Sequence, residues 1–190
     1  MKNDFNYCPM CAGKNVKCIG NRKWVCPDCG FDLYHNVAAA VGIMIYDNED
    51  NVLFELRARE PKLGFADLPG GFVDYEETAE DAVARECKEE MSIDVTDFHY
   101  LCTYPNVYPY KNIEYHTCDL FFTAKLPEKY HNIDEYIQAL KAEEDEIAGF
   151  CSYRVHTKED IEKIPFAFAS GKKALARFVE WRSLERSNSK

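Results

Sequence analysis

The sequence predicts an α/β fold preceded by a small cysteine-bound ribbon. Three observations predict it: two C-P-x-C pairs within the first 29 residues, a series of β-branched and aromatic runs after residue 36, and two helix signatures interleaved with those runs. The chain has 190 residues, 46% hydrophobic and 29% charged, the composition of one globular domain with an appendage and not of a disordered or fibrous chain. Its longest apolar run, residues 37–46, is about half of what a bilayer span requires. No apolar stretch precedes Cys8, so neither a membrane segment nor a secretory signal is expected. A cytoplasmic setting follows, in which thiols stay reduced and the nine cysteines read as metal ligands or small core residues.

The ribbon comes first. Cys8-Pro9-Met10-Cys11 and Cys26-Pro27-Asp28-Cys29 each aim two thiolates at one centre. A short hairpin between the pairs brings Cys8, Cys11, Cys26 and Cys29 into one tetrahedral S4 site, for which Zn²⁺ is the expected occupant and the role structural. Gly13 and Gly30, just after the pairs, are expected to supply the backbone freedom that such knuckles need. Cys18, Cys87, Cys102, Cys118 and Cys151 have no partners at metal spacing and read as small packing residues. The ribbon is assigned to residues 1–35 and the main domain to 36–190, where texture and charge both change. Residues 1–35 carry Lys2, Lys14, Lys17, Arg22 and Lys23 against Asp4, Asp28 and Asp32, a local +2, whereas the whole chain stands at −10. A net charge of that sign repels phosphate backbones, so nucleic acid is disfavoured as a partner.

In the main domain, residues 37–46 and 52–57 read as a hairpin around the turn Asp47 to Asn51. Residues 95–104, 115–125 and 147–155 read as further strands, with Pro105 and Pro109 in the loop between the first two. Thr78-Ala79-Glu80-Asp81 is a capping box that starts a helix over residues 79–91. Ser170 is expected to cap a last helix carrying Ala174, Phe178 and Trp181 on one stripe. Ile133, Ile137 and Leu140 allow a third helix over the charged stretch 131–144, and residues 187–190 are expected to fray.

The chemistry concentrates at Leu68-Pro69-Gly70-Gly71 and the helix after it. Stepping about 100° per residue from Ala79 places Glu86, Glu89 and Glu90 on the arc of Ala82 and Val83. Like charges on a packed face repel and are desolvated unless a cation sits among them. An all-carboxylate set selects a hard ion, Mg²⁺ or Mn²⁺. From the residues alone a solvated acidic helix face remains the competing reading, as an ordinary turn does for Gly70 and Gly71.

The run from Gly71 to Ile93 resembles the Nudix box, G-x5-E-x7-R-E-U-x-E-E-x-G-U with U apolar. Gly71, Glu77, Arg85, Glu86, Cys87, Glu89, Glu90 and Ile93 fill its positions, and Ser92 stands where the box has glycine. With its cysteine pairs, the chain is similar in layout to the zinc-ribbon members of the Nudix hydrolase superfamily, NADH pyrophosphatases among them. The resemblance implies an α/β/α sandwich around a mixed sheet. It also implies Mg²⁺-dependent hydrolysis of a nucleoside diphosphate linked to another moiety. Glu86, Glu89 and Glu90 would then be metal ligands, with a Gly70 or Gly71 carbonyl beside them. Arg85 would orient the glutamates and Glu77 would brace the loop. Glu89 is the first choice as general base, with Glu143, Glu144 and Glu146 as rivals.

Where NADH pyrophosphatases carry a Ser-Gln-Pro-Trp-Pro-Phe-Pro-type array, this chain has Pro105-Asn106-Val107-Tyr108-Pro109-Tyr110-Lys111, keeping an aromatic, proline, aromatic core. Tyr108 and Tyr110 are therefore candidates to stack on a base or sugar. ADP-ribose, an NADH-like dinucleotide and a nucleotide sugar fit equally well. The expected partner is a small nucleotide, without a membrane, and a homodimer is left open. The alternative is a catalytically silent Nudix-fold binding or regulatory module whose ribbon docks a protein or nucleic acid.

Overall fold

The computed structural model describes residues 5–143 and 145–188. Lys2 and Asp4 of the ribbon's charge count, the rival base Glu144 and residues 189–190 of the expected frayed end lie outside them. The chain divides into two compact units, one of residues 1–37 with 107–116 and one of 38–106 with 117–190.

The first unit holds a three-stranded antiparallel sheet of β1 (Lys17–Ile19), β2 (Lys23–Val25) and β3 (Asp32–Tyr34). Among its described residues only Cys8 and Cys26 are buried, and Trp24 lies 3.6 Å centroid to centroid on His35 with Phe5 edge-on at 4.9 Å. A core that small does not hold a fold, which is why units of this size rely on a metal.

The second unit is built on a mixed sheet of six strands, two of which run on into residues 107–110 and 113–116 of the first unit. They are β4 (Ala38–Tyr46), β5 (Asn51–Arg57), β6 (Ala66–Asp67), β7 (His99–Tyr110), β8 (Ile113–Lys125) and β9 (Ile147–Arg154). Their order is β6-β5-β4-β8-β7, with β9 also paired to β5. The helices are α1 (Ala79–Met91), α2 (Ile133–Ile137), α3 (Lys158–Ile161) and α4 (Ala169–Asn188). Met44, Phe54, Phe121, Leu175 and Phe178 fill the core on the α4 side of the sheet. Ile43, Leu53, Phe122, Val83 and Met91 fill the one on the α1 side. Alternation along β4 and β5 sends successive side chains to opposite cores, giving the expected α/β/α sandwich.

Four expectations need correction. Residues 37–46 and 52–57 do not form an extended hairpin: β4 and β5 share only the pair Tyr46↔Val52, after which β4 pairs in parallel with β8 and β5 with β9 over its whole length. Pro105 and Pro109 lie inside β7 and not in a loop, the true turn being at Lys111 and Asn112. β7 is the last strand of its sheet, where a residue without an N–H is tolerated on the open side. Ser170 sits inside α4 and donates its hydroxyl to Asp119 Oδ2 (2.7 Å) instead of capping. The 131–144 helix is the five-residue α2, capped by Asn132 Oδ1 accepting from Glu135 N–H (2.8 Å).

Candidate active site

The stretch Pro69 to Val73 lies along β4, where an ordinary hairpin partner would lie. Ile43 N–H donates to Pro69 O (2.9 Å), Val41 N–H to Gly71 O (2.8 Å) and Val73 N–H to Ala39 O (3.0 Å). That close approach to β4 requires Gly70, whereas Gly71 makes room for the Glu86 side chain. Gly70 has φ +144°, and a Cβ there would fall 2.2 Å from the carbonyl oxygen of Val41; a Cβ on Gly71 would fall 2.4 Å from Glu86 Oε1. The Gly71 carbonyl is thus already engaged by Val41.

From this loop the chain enters α1. Thr78 Oγ1 accepts from Asp81 N–H (3.1 Å), and the helix ends at Ser92, which is left-handed at φ 57°, ψ 35°. Both termini fall where the sequence placed them. α1 turns Ala82, Val83, Cys87 and Met91 into the core and carries the acids at the border of that face. Glu90 is only 4% exposed and accepts from Gly70 N–H on Oε2 (2.7 Å). Glu86 is half-buried, and Glu89 is turned to solvent. The three do not share one depth.

Arg85 ties the group together. Its Nε donates to Glu77 Oε1 (2.9 Å), Nη1 to Glu86 Oε1 and Glu89 Oε2 (2.9 Å each), and Nη2 to Glu77 Oε2 (3.0 Å) and Phe72 O (2.9 Å). A planar fork is needed for that geometry, and lysine cannot supply it. Glu77 in turn accepts from Asp74 N–H (2.9 Å), which closes the loop onto the helix. The Arg85 hydrogen bond holds the Glu77 carboxyl below its usual pKa. Burial pushes Glu86 up against the pull of Arg85, and burial with the charge of Glu86 pushes Glu90 well up.

Two further acids face this group that the sequence reading passed over. Burial raises Asp67 to about 6 despite Arg57, whose Nη1 donates to Asp67 Oδ2 (3.1 Å). Burial and then the charge of Glu90 push Glu55 far up. The available signal was a single acid interrupting the apolar run Val52-Leu53-Phe54-Glu55-Leu56. Of the rival bases, Glu146 pairs with Arg59 and its charge acts on Glu86 and Glu90, whereas Glu143 is exposed and its N–H donates to Glu90 O (3.3 Å). Tyr108 and Tyr110 belong to the other compact unit, their rings 6.4 Å apart on β7.

The chemistry of the donor set suits a hard divalent cation: several carboxylates, with a carboxylate oxygen of Glu55 that lacks a hydrogen-bond partner, and a Cys87 thiol that burial keeps protonated. Among the described residues, however, no three of these carboxylate oxygens lie within 4.8 Å of one another. In the first unit the sulfurs of Cys8, Cys11, Cys26 and Cys29 all lie within 4.8 Å of one another, with Cys8 to Cys29 at 3.7 Å and Cys11 to Cys26 at 3.8 Å. A tetrahedron with bonds of about 2.3 Å has edges of about 3.8 Å. The four thiols therefore fit one ion. The left-handed residue of the first knuckle is Ala12 (φ 58°), not Gly13, and that of the second is Gly30 (φ 79°). Gly13 is small because a Cβ would reach 3.0 Å from Asp28 Oδ2.

Comparison with known proteins supplies the family. NAD-capped RNA hydrolase NudC of Vibrio atlanticus is 31% identical over 109 residues, 57% of this chain and 40% of that protein. The protein of the same name from Photobacterium profundum is 29% identical over 143 residues, 75% of this chain and 53% of its own length. The chain spans about half the length, or less, of these curated relatives. Among solved structures, a NUDIX hydrolase from Nitrosomonas europaea superposes with a TM-score of 0.60 at 23% identity, covering 93% of this chain and 92% of that one. The NUDIX domain of Shewanella oneidensis NrtR, complexed with ADP ribose, gives 0.57 at 22% identity over 80% and 90%. Among the described residues no helix is long and apolar enough to cross a membrane. The family model for the NUDIX domain matches residues 37–181, the span that contains the Gly70-Gly71 loop, Arg85 and the glutamates of α1, and the chain belongs to that family.

Proposed function

We propose that this chain is a Mg²⁺- or Mn²⁺-dependent pyrophosphohydrolase. It cleaves the diphosphate of a nucleoside diphosphate linked to another moiety, such as ADP-ribose, an NADH-like dinucleotide or a nucleotide sugar. The observation that carries this reading is the Arg85 fork holding Glu86 and Glu89 on the helix that also carries the buried Glu90, itself bonded to the Gly70 amide. The names of the NudC relatives and the ADP ribose held by the NrtR domain support the same class of substrate. In the same reading, residues 1–35 form a ribbon with structural Zn²⁺ on its four cysteines, 36–190 form the hydrolase domain, and the setting is cytoplasmic.

Bound at Glu86, Glu89 and Glu90, divalent ions would neutralise phosphate oxygens and lower the pKa of an attacking water. The protein's own contribution is positioning. Arg85 fixes Glu86 and Glu89 relative to each other, and Glu77 holds the loop that carries Gly70 and Gly71, which are assigned to substrate contact. Glu89, at the solvent side, takes the proton of the water as general base, with Glu143 and Glu146 as rivals from the 141–146 loop. Tyr108 and Tyr110 are assigned to stacking on the base or sugar.

The test is a panel of NADH, ADP-ribose, diadenosine polyphosphates, nucleotide sugars, nucleoside triphosphates and an RNA with a 5′ NAD, assayed with Mg²⁺ for product identity. Release of a nucleoside monophosphate from one or more diphosphate-linked substrates is expected. Ligand binding without any product would overturn the reading in favour of a silent binding module.

A further inference from the structure

We propose that Glu55, on β5 and outside the Gly71–Ile93 box, is an additional ligand for the divalent cation held by Glu86 and Glu90. This inference rests on the reading of that cluster as a metal site.

The placement of Glu55 follows from strand alternation. Val52 and Phe54 point into the α4-side core and Leu53 into the α1-side core, so Glu55 emerges on the face that α1 covers. Its ladder partner on β6 is Asp67. The residue is 5% exposed, and its Oε2 has no hydrogen-bond partner among the described residues. Buried carboxyl oxygens are nearly always partnered, and an orphan costs stability unless something outside the chain meets it. The charges it feels most are those of Glu90, Asp67 and Glu86, opposed by Arg57.

The neighbouring cations have other commitments. Arg85 spends its donors on Glu77, Glu86, Glu89 and Phe72 O, and Arg57 reaches Asp67 and the Pro61 carbonyl (2.8 Å). A protonated Glu55 would explain a neutral carboxyl but would still leave Oε2 without a donor. A hard cation between β5 and the buried side of α1 meets Oε2 and offsets the repulsion among Glu55, Glu86 and Glu90 together. Oxygen donors from a strand and a helix would then close the inner side of the site, with Glu89 at the outer, exposed side.

The experiment is an Mn²⁺ titration of the zinc-loaded full chain without substrate, read by the electron paramagnetic resonance of free Mn²⁺ and by the metal-induced rise in Tm. Wild type, Glu55→Gln, Glu55→Asp and Glu90→Gln are compared. Glu55→Gln is expected to weaken the tightest Mn²⁺ site by roughly 10- to 100-fold and to shrink the Mn²⁺-induced rise in Tm. In metal-free buffer its Tm is expected to equal or exceed that of wild type. Glu55→Asp keeps the charge but withdraws the oxygens by one carbon, and an intermediate affinity is expected; it also keeps the test open if the glutamine variant does not fold. Wild-type affinity and stoichiometry in the Glu55 variants, with binding lost in Glu90→Gln, would overturn the assignment of Glu55 alone. Absence of Mn²⁺ binding in wild type would instead overturn the metal reading on which it rests.

Discussion

Gly71→Ala separates the fold from the chemistry at this site. A methyl group on Gly71 would lie 2.4 Å from Glu86 Oε1 and 2.8 Å from Glu86 Cδ, whereas Cβ atoms essentially never approach closer than 3.0 Å. Glu86 Oε1 must retreat by about 0.6 Å, the difference between those two distances. That atom is the far end of a flexible side chain, so the backbone need not move. The cost of such overpacking is about 1–3 kcal/mol, or a fall in Tm of roughly 2–12 °C for a domain of this size. Every proposed ligand remains in the chain, yet Glu86 is displaced and its bond from Arg85 Nη1 is broken or bent. A misplacement approaching 1 Å at a reacting centre costs on the order of 100-fold, so turnover of the best substrate in the panel should fall about 10- to 100-fold in a folded protein. Gly70→Ala is the contrast: its Cβ would meet the Val41 backbone at 2.2 Å with φ +144°, and neither partner can swing away. It should lose stability as well as activity. The assay is kcat and KM at saturating Mg²⁺ beside a thermal melt of each variant. Wild-type turnover in Gly71→Ala would refute the argument that Glu86 must stay where it is.

Four further outcomes are expected. Glu90→Gln keeps the acceptor for the Gly70 amide but removes a buried charge, so turnover should drop by orders of magnitude while the metal-free Tm stays level or rises; near-normal activity would reject its role. Cys26→Ser should release one zinc per chain and expose the amides of residues 5–37 to hydrogen exchange, and an unchanged zinc content by atomic absorption would reject the S4 site. Ser92→Gly should raise stability by up to about 1 kcal/mol, since φ 57° at the end of α1 suits glycine better than serine; a clear loss in denaturant melts would contradict it. Asp50 is 1% exposed, and Arg182 (2.8 Å), His156 (2.7 Å) and Arg186 outweigh burial to hold its carboxyl below the usual value. A depressed folded-state pKa gives stability that is present above the unfolded-state value and lost as pH falls through the folded one. Wild type should therefore lose this contribution below about pH 4, Asp50→Asn should lack it at neutral pH, and parallel acid melts of the two would contradict the pairing.

What was legible in the sequence was local. The limits of α1 could be read because Thr78 and Asp81 cap it within one turn, and the ribbon because each cysteine pair is its own short motif. Gly70 and Gly71 read as a backbone carbonyl beside the metal ligands or as an ordinary turn, and their packing against Val41 and Glu86 was not legible because those residues are respectively 29 and 15 positions away. Long-range pairings were the losses. Ser170 looked like a cap because Asp119 is 51 residues away, and Pro105 and Pro109 looked like a loop because nothing local marks β7 as an outermost strand. Glu55 was silent for the same reason: an acid in a strand declares its burial only when the helix above it is in place.

The Pro69 to Val73 loop has a consequence for how its motion can be watched. Because Val41 and Ile43 in β4 donate their amides to Gly71 and Pro69, those two protons are released to deuterium only when the Pro69 to Val73 loop lifts from the sheet. Two backbone amides deep in a strand thus serve as a clock for a surface event, legible by mass spectrometry or NMR with no label placed near the substrate.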